Sequence, residues 1–222
     1  MATQVSKESV EDSKPVEAVS QTYALLSRCF SYPDESLEPL RSEGIEEELR
    51  GMMEGLPFKV DKGIPSISST QEALQILYTG TFDMPMPPCP LTEAFHRRGE
   101  AARDDIIEGV TRFYEHFGVG LKESERGSSD HLAAELEFMA YLSGKEVDAI
   151  KRGKDPNPYR LAQRDFLVRH LSRWVKKLDK RVQKLVEEPF YKGAFAFLKG
   201  FINLHLRDIN QKVKVIEKYQ HQ

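Results

Sequence analysis

Cysteine and tryptophan are scarce in this sequence, and charge is balanced. The 222 residues include two cysteines, Cys29 and Cys89, and one tryptophan, Trp174. Two thiols are too few for a four-thiolate zinc site, and nothing suggests a secreted disulfide framework. Lys and Arg total 32 against 35 Asp and Glu, a net charge of -3 with histidine neutral. That balance excludes a strongly basic nucleic-acid module as the default reading, because phosphate binding needs a cationic surplus. No run of eighteen apolar residues occurs, so there is no candidate spanning helix. The first fifteen residues are polar and mixed in charge, unlike a secretory signal. The expectation is a cytoplasmic protein without stable membrane insertion. Catalytic motifs are missing too: there is no P-loop, dinucleotide-binding glycine pattern, HExxH or GxSxG. Neither a cofactor nor a metal is expected, and the chain does not read as an enzyme.

What is present is helical periodicity. Val16, Val19, Tyr23, Leu26 and Phe30 recur at steps of three and four, which places them on one helix face. Ile106, Val110, Phe113 and Phe117 form a second stripe ended by Gly118, and Leu132, Leu136 and Met139 a third, expected to end near Gly144. Ser69 with Glu72 three residues on suggests a capping box. Phe166, His170, Trp174 and Leu178 continue the pattern, and Phe190 to Ile202 closes it. Between them, Gly80 to Pro90 holds four prolines and two methionines, so it reads as irregular yet apolar. The expected architecture is an all-α, single-domain bundle of about eight helices. Residues 1–15 are expected to be a disordered tail, 16–206 the helical domain, and 207–222 a polar tail containing one short strand-like run, Val213–Ile216.

Few residues carry chemistry on their own. His131 and Glu135 lie four apart and share a helix face, but one imidazole and one carboxylate are too few to hold a metal. A surface hydrogen bond is their simpler role. Ser128 to Asp130 precede an apolar-periodic helix, where Ser or Asp caps the free amides of the first turn. Cys89, between Pro88 and Pro90, has no evident base and reads as an inert buried thiol.

Three segments taken together resemble a known family. Asp130-His131-Leu132 with Glu135-Leu136-Glu137-Phe138-Met139 is the first. Asp165-Phe166-Leu167, His170-Leu171 and Trp174 make the second. Leu77-Tyr78, Phe82 and Pro90-Leu91-Thr92-Glu93 make the third. They are similar to the signatures of the TorD/NarJ/DmsD group of redox-enzyme maturation chaperones, and most like its nitrate reductase and dimethylsulfide dehydrogenase type. Thr92 and Ala94 replace a Tyr and a Ser of the family pattern.

The resemblance implies a chaperone that binds the N-terminal leader of a molybdopterin-containing catalytic subunit, often a twin-arginine signal. Its partner is the apo catalytic subunit, held until the cofactor is inserted and before export or membrane attachment. Tyr78, Phe82, Asp83, Glu93, Asp130 and His131 are the expected peptide contacts, in an apolar groove with acidic edges built partly from residues 78–96. Leu132, Glu135, Asp165, Phe166, His170 and Trp174 are the expected structural residues of the motifs. The alternative is a helical adaptor that docks a folded partner through the basic stretch Arg164–Lys184.

Overall fold

The structure is a computed structural model that describes residues 7–42, 44–120 and 129–220, with side chains except at 7–10, 36, 42 and 215–220. Among them ten α-helices follow one another and no strand occurs: α1 Lys7–Phe30, α2 Glu38–Ser42, α3 Ile45–Gly55, α4 Gln71–Tyr78, α5 Glu93–His96, α6 Arg103–His116, α7 Leu132–Lys151, α8 Asn157–Arg169, α9 Leu171–Leu185 and α10 Pro189–Gln220. The all-α expectation holds. The count exceeds eight for local reasons. The stretch from Phe166 to Leu178 breaks at His170, whose φ -119° and ψ -94° are not helical. With only four residues, α5 is too short to display a period.

Helices α1 and α7 form the central pair. Their contact is close because small residues meet along it: Ser20 donates to the Ala140 carbonyl and Ser27 to that of Ala133, both at 2.9 Å. Val19, Tyr23, Leu26 and Phe30 of α1 are buried beside Leu132, Leu136 and Met139 of α7 in one hydrophobic core. Along α9, Leu171, Trp174, Val175, Leu178 and Val182 turn inward while Lys176, Lys180 and Lys184 stay exposed. The basic stretch is thus the solvated face of an amphipathic helix.

Several boundaries move from where the sequence reading put them. Helix α1 begins at Lys7 and runs through Pro15, with Ser13 fully buried, so residues 7–15 are helix; residues 1–6 lie outside the described ones. Residues 207–220 of the expected polar C-terminal tail are part of α10 instead, and 221–222 lie outside the described ones. Phe197, Phe201, His205, Ile209 and Val213 are buried at successive steps of four, and this stripe carries the helix past 206 and absorbs the strand-like run at Val213. Gly144 does not end α7. The helix continues seven residues further to Lys151, where Gly153 at φ 62° supplies the left-handed turn. The polar residues of the expected connector are used there: buried Glu146 accepts from Arg160 and Gln163, each at 2.7 Å. Finally, α4 is capped by Thr70, which accepts the Ala73 amide at 3.3 Å, because the Ser69 hydroxyl is engaged by Glu188 at 2.8 Å.

The proline–methionine stretch starts as a π-helical turn, Thr79–Asp83, continuing α4. Its amides close locally, Met84 to the Thr79 carbonyl and Cys89 to that of Thr81, both at 2.9 Å. Beyond it the prolines allow no helix until α5, and Met86 stands 87% exposed.

Candidate functional site

The three motif segments, far apart in sequence, meet in one buried joint. Leu91 to Glu93 lie antiparallel to Asp130 to Leu132: the Glu93 amide donates to the Asp130 carbonyl at 2.9 Å and the Leu132 amide to the Leu91 carbonyl at 2.8 Å. The Asp130 side chain caps α5 rather than its own helix, accepting the Ala94 amide at 2.9 Å. His131 is the cap of α7 and accepts the Ala133 amide through Nδ1 at 3.2 Å. Ser128, the other candidate cap, lies outside the described residues.

Glu93 is the hub of the joint and is fully buried. One of its oxygens meets Nδ1 of His170 at 2.8 Å, and the other accepts from Arg97 at 2.5 Å. Next to it Glu135, also fully buried, accepts from Nε1 of Trp174 at 3.1 Å, while its second oxygen has no hydrogen-bond partner. Burial first, and then the Glu93 carboxylate, push the Glu135 carboxyl well above the usual carboxylate range. Burial also raises Asp130, against the Ala94 amide that lowers it. His131 and Glu135 therefore do not bond to each other, as the sequence reading supposed; one caps and the other turns inward. His96 stacks on Trp174 at 5.6 Å and meets the Pro90 carbonyl at 2.8 Å, and burial lowers its pKa to about 4. Sequence reasoning missed His96 and Arg97, because their partners come from segments that only the fold brings near.

The remaining expected contacts sit elsewhere. Tyr78 and Phe82 stack edge to face at 5.3 Å, but both are core rather than an open wall: Phe82 packs on Tyr191, and the Tyr78 hydroxyl donates to the Phe30 carbonyl at 3.0 Å. Asp83 is exposed and His131 is partly so. The acidic edges expected of the groove are not formed by Glu93 and Asp130, whose carboxylates are buried and already engaged. Asp165 pairs with Arg164 at 3.0 Å, and Phe166 and Leu132 are core. Cys89 and Cys29 are both buried and free, and burial takes the Cys29 thiol to about 12.

Two open cavities flank the turn that follows α5. One, of about 730 Å³, lies between α6 and α8; Ile106, Phe113, Phe117 and Leu161 line it, with Asp105, Asp165, Arg97, Arg112 and Arg169 as its charged residues. His170 borders it, and Gly109 makes room for that ring, since a Cβ there would lie 3.3 Å from the His170 Cε1. The other, of about 620 Å³, is walled by Pro85, Met86, Pro87 and Phe95 and edged by Arg98, Arg103 and Arg181. Ala101 is common to both.

The family model described as nitrate reductase delta subunit matches residues 40–179, which contain all three motif segments. The chain belongs to this family. It is 34% identical over 169 residues to the chlorate reductase assembly chaperone protein of Ideonella dechloratans, covering 75% of this chain and 77% of that one. The selenate reductase assembly chaperone protein of Thauera selenatis is similar to the same degree, with 78% of its length covered. Among solved structures, one described as a redox enzyme maturation protein from Archaeoglobus fulgidus matches at TM-score 0.51 and 22% identity over 83% of this chain and 93% of that one. That likeness concerns the fold. Within the delta subunit family, the buried joint is the part of the motifs that this structure accounts for. No described helix is long and apolar enough to cross a membrane.

Proposed function

We propose that the chain is a dedicated assembly chaperone that binds the N-terminal leader of a molybdopterin-containing catalytic subunit in the cytoplasm. It holds the apo subunit until the cofactor is in place. It is not an enzyme: its relatives are named as assembly chaperones. The observation that carries the reading is the convergence of the motif residues. They bond to one another inside the protein and leave open cavities on either side.

A leader with an apolar helix and a basic start fits the cavity between α6 and α8. Ile106, Phe113, Phe117 and Leu161 offer apolar contact, and Asp105 is the carboxylate offered to the leader's basic start, since Asp165 already pairs with Arg164. Glu93, Asp130 and His131 act through position, fixing where α5, α7 and His170 stand, while exposed Asp83 lines neither cavity. Charge pairing there sets orientation and on-rate more than affinity, so rising salt weakens binding modestly.

Calorimetric titration with a synthetic leader peptide of a molybdopterin-containing catalytic subunit tests the reading. Phe113→Ala and Asp105→Lys should each weaken binding by about tenfold, the scale of one lost apolar or charged contact. Unchanged affinity in both folded variants would place the leader elsewhere, and no binding by the unaltered chain would remove the leader from the account.

A further inference from the structure

The cavity beside the proline–methionine stretch has a charge opposite to that expected of a receptor for a basic peptide. Arg98 and Arg181 both lie over the ring of Phe95, with guanidinium carbons 4.5 and 5.4 Å from its centroid. Two like charges held on one ring repel each other, and such an arrangement is stabilised when an anion lies between them. Among the described residues, neither has a carboxylate within ion-pair distance, although Arg97, Arg173 and Lys177 close by all converge on Glu100. Arg181 spends its Nε–H on the Pro88 carbonyl and lines the cavity with the rest of its side chain. The single carboxylate in the lining, Asp130, is buried and occupied by the Ala94 amide.

The apolar half of the same surface is as unusual. Met86 is 87% exposed and Met84 is 42% exposed, on the proline-interrupted segment between α4 and α5. Exposed methionine is adaptable contact surface, and it costs free energy to leave it in water. Pro85, Pro87, Pro88 and Pro90 have no amide hydrogens, and the Cys89 amide is already used. A docked chain therefore gains little from backbone pairing here and is held by its side chains.

From this we propose that the cavity between Pro85 and Arg181 is a second docking site, for an apolar peptide segment carrying Asp or Glu, supplied by the client subunit. A carboxylate bridges Arg98 and Arg181, and its apolar neighbours cover Met86 and the proline walls. The client's identity rests on the chaperone reading; the ligand chemistry does not. With the leader in the cavity between α6 and α8, the client would be gripped on both sides of the turn at Ala101 by segments of opposite charge. Such paired contacts reject chains that carry only one of them.

The test titrates the full chain with acetyl-Leu-Glu-Leu-Phe-Asp-Leu-amide, followed by amide chemical shifts and calorimetry. Peptides with Lys, or with Gln and Asn, at the two acidic positions serve as comparators. The acidic peptide is expected to shift the signals of Met86, Phe95 and Arg98, and to bind at least tenfold more tightly than the lysine peptide. Arg98→Glu, Arg181→Glu and Met86→Asp, all at exposed positions, should each abolish that preference while leader binding persists. Equal binding of acidic and basic peptides overturns the proposal. So do shifts confined to other surfaces, or displacement of signals by inorganic pyrophosphate with no response to the peptide. A chain that takes the acidic peptide but not the leader keeps this site and loses the leader reading; the reverse result does the opposite.

Discussion

At the scale of single residues, Glu135 is the group most at odds with its surroundings. It lies in the core beside a second carboxylate, with one hydrogen bond from Trp174 and one oxygen without a partner. Its folded-state pKa is raised, by burial before all else, so the folded state favours the protonated form. The stability this gives is fully present below the unfolded carboxyl value, about 4.3, and is lost as pH rises toward the folded value. Glutamine keeps the acceptor for Trp174 and has no proton to release. Between about pH 5 and pH 8, the urea midpoint of the unaltered chain should therefore fall relative to that of Glu135→Gln. A constant difference across that range would mean that Glu135 ionises as an ordinary carboxyl group. The motif residues were visible in the sequence as types at a spacing. That Glu93 bonds His170 across 77 residues of chain was not visible, because neither residue's neighbours specify a partner.

At the scale of elements, the apolar stripes of α1, α6, α9 and α10 were readable because a helix face repeats every three or four residues. Helix ends were less so, since an end is set by which side chain is free to cap, and Glu188 took Ser69 from that role. Contacts between a loop and a helix leave no periodic trace at all. Gly193 on α10 receives the ring of Pro65, and a Cβ there would stand 2.0 Å from the Pro65 Cδ. The loop cannot simply retreat, because Ile64 and Ile67 on either side of Pro65 are buried. Alanine gains about 1 kcal/mol in helix propensity, whereas overpacking costs about 1–3 kcal/mol, so Gly193→Ala should lower stability on balance. Chemical denaturation measures this directly, and a raised midpoint would mean that the 56–69 loop moves freely.

At the scale of the whole molecule, buried imidazoles set the response to acid. His205, hydrogen-bonded to Tyr23 at 2.8 Å, is lowered by burial to about 3, and His96 to about 4. His131 is lowered by burial as well. Unfolded, each takes up a proton near 6.5, so their contribution to stability is present above that pH and lost as pH falls toward the folded values. Two such groups give a slope of up to ~2.7 kcal/mol per pH unit between about pH 6 and pH 4. Glu135 acts in the opposite direction over part of that range, so the slope is best measured in the Glu135→Gln background. Adding His205→Gln should remove about one proton from it. An unchanged slope would show that His205 is protonated in the folded chain.

The sequence alone determined the helical class, the core stripes and the family, because each of these is written in residue types at local spacings. Only the tertiary structure decided what faces a partner. Burial is a property of the packed chain, so Glu93 and Asp130, acidic residues that a linear reading places at a groove edge, became internal struts. By the same cause Arg98 and Arg181, 83 positions apart and unremarkable in the sequence, were brought to one phenylalanine ring. Charge at a site is a sum over elements that only folding places together.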